Sequence, residues 1–130
     1  MAQKQIATFL GSNKGLSIVG NHCYAFSGKV TPSGGTSADT IALQFQTGKY
    51  YSKVKLNWTC QSTSATVDQW FDVILNGETV FFARAEDDET ATGQSPLKLI
   101  IPPLTECIIK VGDNAQNIFT VVLAGRVYDA

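Results

Sequence analysis

Few side chains in this sequence have the chemistry to act on a substrate, and their spacing limits what each can do. Histidine occurs once, as His22, so every scheme that needs an imidazole base, proton shuttle or metal ligand rests on that residue. It stands at the edge of a strand-like phrase, and the chain contains no Gly-x-Ser-x-Gly elbow, His-Glu-x-x-His pair or phosphate loop to accompany it. Cys23, Cys60 and Cys107 are odd in number and far apart, which suits neither a disulfide framework nor the paired spacing of a zinc site. Each lies in a strand-like phrase, where a reduced thiol acts as a small apolar filler. The run Glu86-Asp87-Asp88-Glu89 offers carboxylate oxygens of the kind Ca²⁺ takes, but without the alternating ligand spacing and the glycine of a calcium loop. It reads as a solvated charge run, or as a partner for a basic patch on another protein. The expectation is a protein that is not an enzyme, with no catalytic residue, no cofactor and no metal.

The aromatics are the remaining candidates. Exposed aromatic faces stack on sugar rings, so Tyr50, Tyr51, Trp58, Trp70, Phe81, Phe82 and Tyr128 raise the alternative of a carbohydrate-binding groove. In the phrase from Trp70 to Phe82 both parities are apolar: Phe71, Val73 and Leu75 against Trp70 and Ile74, then Val80 and Phe82 against Phe81. A strand that is apolar on both faces is either central in a thick core or lies at a subunit contact. Trp70 and Phe81 are therefore the candidate interface residues of this segment.

Positioning these residues falls to strands. Asn76-Gly77 joins two apolar runs and predicts a two-residue type I′ hairpin, because both residues accept positive φ at low steric cost. From Tyr50 to Gln61 the alternation is clean: Val54, Leu56, Trp58 and Cys60 share one face, and Lys53, Lys55, Asn57, Thr59 and Gln61 share the other. The first face predicts core and the second meets water or a polar partner. Further strand phrases run from Cys23 to Val30, Thr40 to Phe45, Ser95 to Ile101, Thr105 to Val111 and Ile118 to Val127, and no helix is apparent. Pro102-Pro103 closes the phrase before it, since proline cannot donate to a ladder.

This pattern predicts an all-β fold, an eight-stranded antiparallel β-sandwich of jelly-roll type with a short N-terminal extension. The long connections Ser33 to Asp39 and Glu86 to Gln94 suit crossings between sheets. Residues 1–22 break the strand pattern and are expected to form an arm, with residues 23–130 as the sandwich domain. At 130 residues the chain is long enough to hold a core without staples.

The composition is 44% apolar but only 16% charged, which suits a surface covered in part by partners. Ten basic against eleven acidic residues, with no basic run beyond Lys49, Lys53 and Lys55, argue against nucleic acid as a partner. No stretch approaches a membrane span, and the N-terminus lacks a signal peptide's apolar core, so no membrane contact and synthesis in a cytosol are expected.

Three phrases carry a family resemblance: Asn21-His22-Cys23-Tyr24-Ala25-Phe26-Ser27-Gly28, Leu99-Ile100-Ile101-Pro102-Pro103-Leu104-Thr105 and Thr120-Val121-Val122-Leu123-Ala124-Gly125-Arg126-Val127-Tyr128. From about Asn21 to Asp129 the chain resembles small jelly-roll structural proteins of tailed bacteriophages, the head decoration or cement proteins. The resemblance implies a virion protein on the head surface, made in the host cytoplasm. It also implies a homotrimer, bound to the major capsid protein and fastening the capsid lattice. On that reading Trp70 and Phe81 contribute to the trimer contact, and the segment Gln3 to Leu10, with Ile6 and Phe9, reaches the capsid. The alternative within the same setting is the receptor- or carbohydrate-binding head of a tail fibre or spike.

Overall fold

The structure is a computed structural model that describes residues 7–9, 16–32, 34, 37–61, 69–85, 97–113 and 118–129, with residues 7–9, 60, 61, 84 and 85 described for their backbone only. Among these residues ten strands follow one another: β1 (Ala7–Phe9), β2 (Ser17–Val19), β3 (His22–Phe26), β4 (Thr40–Thr47), β5 (Tyr50–Gln61), β6 (Gln69–Leu75), β7 (Glu78–Ala85), β8 (Leu97–Ile101), β9 (Glu106–Asp113) and β10 (Ile118–Asp129). The strands β3 to β10 correspond to the eight phrases read from the sequence. The other two fall in the segment expected to be an arm.

The strands form two antiparallel sheets packed as a β-sandwich, one in the order β1-β4-β9-β6-β7 and the other β2-β3-β10-β5-β8. Only β2 to β3 and β6 to β7 connect neighbours within a sheet, so every other connection between described strands crosses from one sheet to the other. The two segments expected to cross do so, between β3 and β4 and between β7 and β8.

Period-two alternation builds the core. Leu43, Phe45, Phe71, Val73 and Ile109 face inward from the first sheet, and Leu56, Trp58, Phe119, Val121 and Leu123 meet them from the second. Leu16 and Ile18, from the N-terminal segment, are buried in the same cluster. An aromatic group bridges the layers. Trp58 on β5 stacks on Phe71 of β6 with centroids 4.1 Å apart, and Phe81 of β7 sits 6.2 Å from Trp58 and 6.4 Å from Phe71.

The hairpin has the expected turn. Leu75 pairs with Glu78, and Asn76 and Gly77 take φ of 50° and 83°, both left-handed. Asn76 also ties the tip to β9: its side-chain carbonyl accepts from the Glu106 N–H, and its own N–H donates to the Glu106 carbonyl, each at 2.9 Å. Asparagine is thus chosen for its φ and for its acceptor. We expect Asn76→Ala to cost about 2 kcal/mol and Asn76→Gly about 1 kcal/mol, because glycine keeps the left-handed backbone and loses only the side-chain bond. Urea unfolding of the two variants checks the order.

A second tie holds two sheet crossings together. The buried Thr47 hydroxyl donates to the Pro102 carbonyl at 2.8 Å and accepts from the Thr105 N–H at 2.9 Å. The Thr47 N–H donates to the Thr105 carbonyl at 2.9 Å, and the Leu104 N–H to Gly48 at 2.7 Å. This corner holds Leu104 at a φ of 53° with its side chain 70% exposed.

Candidate functional site

The outer face of the β2-β3-β10-β5-β8 sheet carries an unusual set of side chains, and the strand register explains how they meet. On β3 the small residues Cys23 and Ala25 point inward, which turns Tyr24 and Phe26 out to solvent. Their rings lie nearly parallel, 7° apart with centroids at 6.0 Å, and form an open aromatic plate. On β10 beside them, Ala124 pairs with Tyr24 and Val122 with Phe26. Val122 is exposed, so this half of the face is apolar.

The other half is cationic. Lys53 and Lys55 project from β5, Arg126 from β10 and Lys98 from β8, and all are exposed. Register places Arg126 against Lys53, and Ala124 in one row with Lys55 and Lys98. Neighbouring strands lie about 4.8 Å apart, and successive outward residues about 6.8 Å apart along a strand, so these cations share one small area. Ala124 and Gly125 have little or no side chain, and the neighbouring longer side chains leave a hollow of about 540 Å³ above them. Ile100 and Tyr128 add to its wall, and among the described residues no carboxylate lines it. The Lys53 ammonium lies 5.4 Å from the centre of the Tyr128 ring, and Tyr128 stacks on Tyr51 at 5.3 Å.

The outer face of the first sheet is different. Phe82 is 73% exposed and Val80 49%, while Trp70 and Ile74 are half-buried. The register shifts between Val73 and Ile74, leaving Val80 as the extra residue of a bulge. Asp72 faces Phe82 on one side and Lys110 on the other. Partial burial raises the Asp72 carboxyl above its usual range, and the Lys110 charge draws it part of the way back.

The residues singled out in the sequence are thus dispersed. Trp70 and Phe81 belong to one hairpin, but Trp70 stands on the outer face while Phe81 packs inward against Trp58 and Phe71. The outward apolar positions of β7 are Val80 and Phe82. Phe9 lies in β1, which pairs with β4; Ile6 and the acidic run Glu86-Asp87-Asp88-Glu89 lie outside the described residues. His22 is exposed at the start of β3, opposite Arg126. Among the described residues no cluster of His, Cys, Asp or Glu is placed to hold a metal ion.

Cys23 and Cys107 are buried free thiols, and the Cys60 side chain lies outside the described residues. Burial pushes the Cys107 thiol up to about 12 and also raises Cys23, where Ser52 and the Gly125 backbone partly oppose it. The folded state therefore favours the protonated thiol. Its contribution to stability is whole below about pH 9, the unfolded value, and is lost as pH climbs toward 12. We expect unfolding free energy to fall across that window and Cys107→Ala to flatten the fall, as measured by urea titrations at several pH values.

Comparison of the chain with protein families, curated proteins and solved structures finds no match.

Proposed function

We propose that this chain is a non-enzymatic structural protein of a phage virion, a decoration or cement protein that binds the outer surface of the head and stabilises its lattice. The observation that carries the reading is that both sheets keep large apolar side chains on their outer faces, Phe26 at 52% exposure and Phe82 at 73%. A sandwich covers only its inner faces by folding, so uncovered apolar groups on both outer faces suit protein contacts on two sides. One side would serve self-association and the other the major capsid protein. Spreading contacts over several capsid subunits resists outward pressure through multivalency.

The strand order supports the jelly-roll assignment. Strands β3 to β10 interleave as β3-β10-β5-β8 and β4-β9-β6-β7, the pattern that two nested Greek keys produce. On this reading three copies surround an axis with the β6–β7 hairpin at the contact, where Trp70 and Phe82 supply outward apolar surface and Phe81 supports them from within. The N-terminal segment with Ile6 and Phe9 would reach the capsid.

Sedimentation velocity tests the assembly step. A trimer is expected at micromolar concentration, and Phe82→Asp is expected to give a folded monomer. A wild-type chain that stays monomeric there contradicts the trimer.

A second reading, the receptor-binding head of a tail fibre, is favoured by the open Tyr24–Phe26 plate. Adsorption of the purified protein to host cells would support it and count against a pure cement.

A further inference from the structure

We propose that the hollow on the outer face of the second sheet is a binding site for an acidic saccharide, a sugar unit carrying a carboxylate. The site specifies the ligand chemistry of the fibre-head reading, but it stands on its own geometry and is equally compatible with a head protein that also holds a surface glycan.

Three observations converge on that ligand. The first is charge: Lys53, Lys55, Lys98 and Arg126 surround the hollow, and among the described residues its lining contains no carboxylate. Like charges at this spacing repel one another, and an anion seated among them relieves the repulsion. Arg126 adds a planar fork of donors matched to a two-oxygen anion.

The second is shape. A hollow of about 540 Å³ falls within the usual range of small-ligand sites, about 300–1,000 Å³. Its floor includes the outward-facing Ala124, so the low point arises where that short side chain stands among longer ones, in the middle of the β10–β5–β8 surface. A site for a flat protein partner has no need of such a depression.

The third is the aromatic surround. The Tyr24–Phe26 plate begins on the strand next to Ala124, and the Tyr51–Tyr128 stack closes the opposite end near Lys53. Sugar rings present apolar C–H faces that stack on aromatic planes, whereas an acidic peptide gains nothing specific from two such plates. Charge in the centre with stacking surfaces on either side therefore favours an acidic glycan over an acidic peptide.

The test uses the full chain and isothermal titration calorimetry at low salt with three probes: trigalacturonate, its fully methyl-esterified form and hexaglutamate. Trigalacturonate is expected to bind saturably and to weaken as salt rises. The neutral ester and hexaglutamate should each bind at least about tenfold more weakly, the scale of one lost charge-assisted hydrogen bond. Arg126→Gln and Lys55→Gln should each weaken trigalacturonate about tenfold, and Ala124→Leu should abolish binding by filling the hollow. Circular dichroism and the sedimentation profile of each variant report whether fold and assembly persist. Hexaglutamate binding as tightly as the sugar would overturn the saccharide assignment. So would the absence of trigalacturonate binding, or binding that Ala124→Leu and Arg126→Gln leave unchanged. None of these results bears on the trimer or on capsid attachment, which the sedimentation experiment reads separately.

Discussion

Replacing Trp58 with alanine is expected to remove about 3–5 kcal/mol of folding stability, a large share of what a domain of this size possesses. Trp58 comes from one sheet and its partners Phe71 and Phe81 from the other, so the indole is the main aromatic contact between the layers. Alanine would leave a cavity between two sheets whose spacing is fixed by the rest of the core, and so little can collapse into it. Phenylalanine at the same position is expected to cost much less. The indole Nε1 is buried and has no hydrogen-bond partner among the described residues, so losing that donor offsets part of the lost contact area. Urea unfolding of Trp58→Ala and Trp58→Phe gives both values. Equal losses in the two variants would contradict the role assigned to ring stacking.

The second large effect is expected at Gly125. An added Cβ there would lie 1.9 Å from the Lys53 carbonyl oxygen and 2.7 Å from the Val54 Cα. Both are backbone atoms of β5, and they cannot swing aside as a flexible side chain would. Gly125→Ala must therefore force β5 and β10 apart at the point where they pair, at a cost of about 3 kcal/mol or more. The pairing runs along the whole of β10, so the strain falls on the central ladder of the sheet. The same displacement would distort the floor of the cationic hollow. A melting temperature close to wild type for Gly125→Ala would show that the strands separate there more easily than the packing indicates.

Much of the fold was legible because the physics behind it is local. Alternation from Tyr50 to Gln61 assigned Val54, Leu56 and Trp58 to the core and Lys53 and Lys55 to the surface, and the burial follows that assignment. The hairpin turn depended on Asn76 and Gly77 alone. The N-terminal segment was harder to read. Ile18 faces the core and Val19 faces solvent, but β2 has only three residues, too short to display a period.

Side-chain direction was less legible wherever both parities were apolar. In β3 the larger residues Tyr24 and Phe26 point out and the smaller Cys23 and Ala25 point in, the reverse of what hydrophobic size alone suggests. In β7 Phe81 lies inside and Phe82 outside, and the bulge at Val80 shifts Glu78 and Thr79 out of step with them. A one-residue bulge leaves no mark in hydrophobic periodicity.

The cationic hollow was invisible in the sequence for a different reason. Lys53 and Lys55 are close in the chain, but Lys98 and Arg126 come from strands whose adjacency is a matter of topology. The chain's near-neutral net charge of −1 conceals a local excess of positive charge on one face. Only the order β10-β5-β8 brings the four together.

The proposal that this sandwich decorates a phage head is tested by a cryo-electron microscopy map of purified virions that contain the protein. Three-fold clusters of density are expected over the head lattice, into which the β3 to β10 sandwich fits with the β6–β7 hairpin toward the cluster axis. Density for the sandwich at a fibre tip, and none over the head, would contradict it.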